Sequence, residues 1–74
     1  MTIFSEHARH RMKLRRITEA EVGAALASPD ITERSFGGRF IATKKMGRRL
    51  LKVVYTEIQL EILVITVYWI QETI

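Results

Sequence analysis

The run from Leu60 to Ile70 constrains this chain more than any other stretch, because it is β-branched and aliphatic on both of its alternating faces. Leu63, Ile65, Val67 and Trp69 fall on one face, and Ile62, Val64, Thr66 and Tyr68 on the other. A strand apolar on both sides belongs in the middle of a sheet or under cover on both faces, and if neither holds it must find a partner. At nine residues, its unbroken apolar part, Ile62 to Ile70, is too short for a membrane helix, which takes about 20.

The rest of the chain supplies the cover. Ser5 is a good N-cap, Glu6 suits the positive end of a helix, and Arg15 and Arg16 suit its negative end, so a helix is expected from Ser5 to about Arg15. Ala8 and Met12 make its apolar stripe. Thr18-Glu19-Ala20-Glu21 is a capping box that opens a second helix, Glu19 to Ala27, which Pro29 prevents from continuing. Beyond Pro29 the period shortens to that of strands. Ile31 to Ser35, Arg39 to Lys45, Arg48 to Tyr55 and Leu60 to Ile70 read as four strands, with turns at Gly37-Gly38 and Gly47. Thr2 to Phe4 reads as an extended lead-in. The expected fold is α+β, one domain over residues 1–74, with two N-terminal helices on one face of a four-stranded antiparallel sheet (ααββββ).

Charge is distributed unevenly along the chain. Residues 1–52 hold all twelve Lys and Arg against five acids (+7), and residues 53–74 hold three Glu and no base (−3). A basic first part favours an anionic partner, nucleic acid or an acidic protein, unless these charges simply solvate the surface. No cysteine is present, which removes disulfides and thiolate chemistry and favours the cytosol over secretion. With no basic-then-apolar leader pattern, the chain is expected to be cytoplasmic and unprocessed, with no membrane association.

His7, Arg11 and Arg15 recur at i, i+4 and i+8, which sets an imidazole and two guanidiniums on one helical stripe. Metal-free RNA cleavage needs a base for the 2′-hydroxyl, an acid for the leaving oxygen and cations around the phosphate. His7 is the candidate base or acid, Arg11 the phosphate ligand beside it, and Tyr68 a proton donor or a stacking platform. Arg15 adds a second forked donor, and Lys52 or Arg39 a cation from the sheet. Lys44, Lys45, Arg48 and Arg49 cluster at the second hairpin, where they track a phosphate backbone or form a solvated turn. Each stripe residue also has a structural reading: His7 bonded to a backbone carbonyl near the core, Arg11 and Arg15 paired with glutamates of the second helix. His10 reads as plain surface, and Trp69 and Phe40 as core. His7 and His10 are spaced for a shared metal, yet no carboxylate sits at a ligand spacing, so neither metal nor cofactor is expected.

Ser5-x-His7-Ala8-x-x-Arg11-Met12-x-x-Arg15-x-Ile17, then Val22, Leu26 and Pro29, Gly38-Arg39-Phe40, Gly47-Arg48 and Val64-Ile65-Thr66-Val67-Tyr68 together resemble domain-of-unknown-function family 4258. The resemblance spans nearly the whole chain. It implies a small domain related to the RelE/ParE-like toxins and to compact bacterial ribonuclease-like toxins, hence a toxin-like endoribonuclease acting on RNA and neutralised by an acidic antitoxin-like partner. A non-catalytic nucleic-acid-binding or protein-interaction module, homodimeric through the fourth strand, is the other reading. Relatives often have Gly at the position of Arg16, where a left-handed residue ends the helix.

Overall fold

Serine at position 5 begins the architecture by tying helix to sheet. In the computed structural model, which describes residues 1–71, strand β1 (Thr2–Phe4) leads into helix α1 (Glu6–Arg15). The Ser5 hydroxyl accepts the Ala8 N–H at 3.0 Å, as the N-cap chemistry predicts, and donates to the Ile65 carbonyl at 2.9 Å. The Ser5 N–H donates to the Val64 carbonyl at 3.0 Å. Helix α1 ends at Arg16, whose φ of 55° and ψ of 45° are left-handed, so this arginine itself makes the turn that a glycine usually makes.

Helix α2 (Glu19–Ala27) opens on the reciprocal capping box, with the Thr18 N–H donating to Glu21 Oε1 at 2.8 Å and the Glu21 N–H to Thr18 Oγ1 at 3.1 Å. After Pro29 come β2 (Ile31–Arg34), a 3-10 turn over Phe36–Gly38, β3 (Phe40–Met46), β4 (Arg49–Ile58) and β5 (Glu61–Gln71). Gly47 takes the left-handed φ of 67° that the tight β3–β4 turn requires. The helices and all four expected strands lie within a few residues of their predicted bounds.

The sheet has five strands rather than four, in the order β1-β5-β4-β3-β2. Thr2–Phe4 is no mere lead-in. It pairs parallel to Ile62–Val64, and every other pairing is antiparallel. Three residues are too few to show a period, so the backbone bonding demand of the β5 edge, not local pattern, recruits them.

A second correction concerns the faces of β5. Tyr55 lies opposite Val64 while Val54 lies opposite Thr66, so Ile65 is an extra residue in a β-bulge. The bulge shifts the alternation by one, and Val64 and Val67, expected on opposite faces, are both 0% exposed. They join Ala42, Leu51 and Val53 in a core closed from above by Ala8, Met12, Ile17, Val22 and Ala25 of the helical layer. Phe4, Tyr55, Ile62 and Trp69 pack at its margin, where the Phe40 and Tyr55 rings stack 5.5 Å apart.

The opposite face carries no helix among the described residues. Cross-strand rows run Glu33-Ile41-Val54-Thr66, Ile31-Thr43-Lys52-Tyr68 and Lys45-Leu50-Ile70. The strand expected to be central or doubly covered is therefore neither along its whole length: β5 is helix-covered on one face, and beyond Val64 it has no outer neighbour among the described strands. No described helix is long and apolar enough to cross a membrane.

Candidate functional site

Two tethers hold α1 along β5. The first is Ser5 at Val64 and Ile65, described above, and the second is Trp69, whose indole N–H donates to the Arg15 carbonyl at 3.3 Å. That carbonyl is one of the last four of the helix, which have no intrahelical donor, so the indole satisfies it. Between helix and strand, toward the second tether, lies a hollow of about 370 Å³ lined by Arg11, Arg15, Arg49, Tyr68 and Trp69.

The hollow gathers positive charge that nothing among its described lining residues neutralises. Arg11 and Arg15 stand one turn apart on α1, and Arg49 enters from the start of β4, its guanidinium carbon 3.9 Å from the centroid of the Trp69 ring. Trp69 thus holds α1 with its N–H and Arg49 with its face. The interhelical ion pair expected of Arg11 or Arg15 is made instead by Arg9, which meets Glu19 at 3.2 Å. Three cationic guanidiniums, with no carboxylate among the described lining residues, make an anion the natural occupant. Tyr68 borders the hollow at β5, but its side chain belongs to the open-face row with Lys52, and the residue is 36% exposed.

Of the residues singled out from the sequence, Arg11, Arg15, Arg49 and Tyr68 come together here. His7 does not. It shares the helical stripe but lies one turn nearer Ser5, exposed and outside the lining, and makes neither the proposed catalytic contact nor a core hydrogen bond among the described residues. Lys52 lies on the open face in the row with Tyr68, 3.9 Å from Glu33. Lys44 Nζ donates to the Ser28 carbonyl at 2.9 Å, so it ties β3 to the end of α2. The Lys45 backbone N–H donates to Asp30 Oδ2 at 2.7 Å, and its side chain is exposed. Arg48 is exposed in the β3–β4 turn, and Arg39 is exposed at the other end of β3. The second-hairpin cluster therefore divides, with only Arg49 turned into the hollow.

Trp69 is the lining residue that sequence reasoning assigned wholly to the core. Its place between α1 and Arg49 depends on the bulge at Ile65, and no local pattern announces that bulge. Among the described residues, no group of three or more His, Cys, Asp or Glu side chains is placed to hold a metal ion.

The comparisons with known proteins are sparse. No curated protein and no solved structure matches the chain. A family described as "Domain of unknown function (DUF4258)" matches residues 4–69, a span that includes both tethers and every residue lining the hollow.

Proposed function

We propose that this chain, which belongs to the DUF4258 family, is an RNA-binding domain that grips backbone phosphate in the hollow between α1 and β5. The observation that carries this reading is the convergence of Arg11, Arg15 and Arg49 on one hollow with no carboxylate among its described lining residues. Guanidiniums bind phosphate oxygens through paired N–H donors, and two of them a helical turn apart suit a charged strand lying along α1. Stacking of a base on an aromatic face is worth about 1–3 kcal/mol, but the Tyr68 ring lies in the open-face row with Lys52, away from the guanidiniums. The Trp69 face is already occupied by Arg49. RNA as the ligand accords with a cytoplasmic protein.

RNA cleavage, in the manner of a RelE/ParE-like toxin with an acidic antitoxin-like partner competing for the same three cations, is the second reading. It is favoured by one observation, that Tyr68 is among the residues bordering the hollow. Acid–base cleavage uses two proton-exchanging groups, and Tyr68, in the open-face row with Lys52, is the single candidate among the described lining residues, since His7 stands outside. Binding therefore comes first.

Fluorescence anisotropy with labelled single-stranded RNA over a salt series tests both readings. Arg11→Ala and Arg15→Ala are each expected to weaken binding about tenfold and to lower the salt slope by roughly 0.7, while His7→Ala leaves affinity unchanged. Wild-type protein that does not bind, or arginine variants that bind undiminished, would overturn the proposal. Cleaved RNA with wild type and intact RNA with Tyr68→Phe would move the assignment to the nuclease reading.

A further inference from the structure

We infer that the open face of the sheet is an interface between two copies of this chain. An antiparallel sheet with one face in water ordinarily alternates apolar inward and polar outward. Here about half of the outward set is apolar: Ile41, Leu50 and Val54 are half-buried along the middle strands, and Ile31 and Ile70 are 57% and 38% exposed toward the margins. Strands about 4.8 Å apart, over a usable length of some six residues at about 3.4 Å each, give this five-stranded face a flat footprint of roughly 500 Å². That is close to a tenth of the chain's 5386 Å² accessible surface, and two such faces together bury about 1,000 Å², the lower bound for a specific interface.

Charge selects the occupant. The net charge is +4, and the helical side of the sheet presents the arginine hollow, so two copies approaching through that side would meet like charge. On the open face the three rows contain three charged residues, Glu33, Lys45 and Lys52, of which Glu33 and Lys52 lie 3.9 Å apart as a pair. This face is nearly neutral. A strongly acidic or basic partner finds no complement on it, whereas a second copy brings the same apolar rows and the same balanced pair. A two-fold arrangement matches the patch to itself, as most soluble homo-oligomers do. Such a dimer covers Tyr68 but leaves the three guanidiniums of each hollow accessible on its outer sides, so the inference stands whether or not they bind RNA.

Sedimentation velocity or light scattering of the full chain, with Val54→Lys and Ile31→Lys beside it, tests the inference. The expected result is wild type at twice the 8.6 kDa chain mass and both lysine variants at the single-chain mass with unchanged circular dichroism. Ile31 is mostly exposed at the sheet margin, so its variant decides the matter should Val54→Lys fail to fold. A wild type that stays at the single-chain mass at the highest soluble concentration overturns the inference. So does a dimer that survives Ile31→Lys and any folded Val54→Lys, because its interface would then lie elsewhere, for example along the outer edge of β5.

Discussion

Leu50 and Leu51 are neighbours on β4, yet Leu51 is 0% exposed beneath the helices and Leu50 faces away from them, half-buried among Lys45 and Ile70. The two faces of the sheet draw on the same aliphatic residue types. One face is finished within the chain by Ala8, Met12, Val22 and Ala25, and the other has only lateral neighbours. Hydrophobic patterning thus reports that a surface wants cover, and topology decides whether the chain itself provides it.

Four substitutions probe this contrast, and the largest effect belongs to the covered side. Leu51→Ala leaves a cavity in a closed core and is expected to cost about 3 kcal/mol in chemical denaturation at any protein concentration. Leu50→Ala should cost less than about half of that in dilute protein, with a deficit that grows as concentration rises and the second copy begins to contribute. Equal costs in dilute protein would erase the distinction between the faces.

Thr43 gives a smaller effect of opposite sign. It lies in a row of the open face, yet it is 5% exposed and its hydroxyl has no partner among the described residues. Thr43→Val keeps the shape and removes a desolvated polar atom, so thermal unfolding should show a gain of about 1 kcal/mol. A loss would mean that the hydroxyl is satisfied in solution. The smallest effect is expected at Arg16, where Arg16→Gly relieves the left-handed strain at the end of α1 and should add about 0.5–1 kcal/mol. This gain strengthens the helical layer alone, so the dimer mass should not change.

Local chemistry was legible in the sequence wherever one residue does the whole job. Ser5, the Thr18/Glu21 box, Pro29 and Gly47 each mark a boundary that the structure keeps, because caps and tight turns depend on groups a few residues apart. The arginine stripe was legible too, since i, i+4 spacing places Arg11 and Arg15 together without knowledge of the fold. The phase of β5 was not. With apolar residues at both odd and even positions, alternation carries no sign of which set faces the helices, and the extra residue at Ile65 leaves no trace in composition. His7 fell outside the hollow for a related reason. Periodicity gives the stripe but not how far along it the strand opens away, and that is set by the tether at Trp69.

The bulge at Ile65 also bears on how this chain tolerates change in length. Exchanging one aliphatic side chain for another at that position alters volume alone, and losing the residue would let Val64 and Thr66 follow one another as their partners Tyr55 and Val54 do, closing a regular ladder with Val67 and Trp69 still beneath α1. One residue inserted between Thr66 and Trp69 would instead turn Trp69 outward, and the indole would release the Arg15 carbonyl and the Arg49 guanidinium together. Loss of one residue at the bulge should accordingly be commoner among functional descendants of this sequence than a gain of one between Thr66 and Trp69.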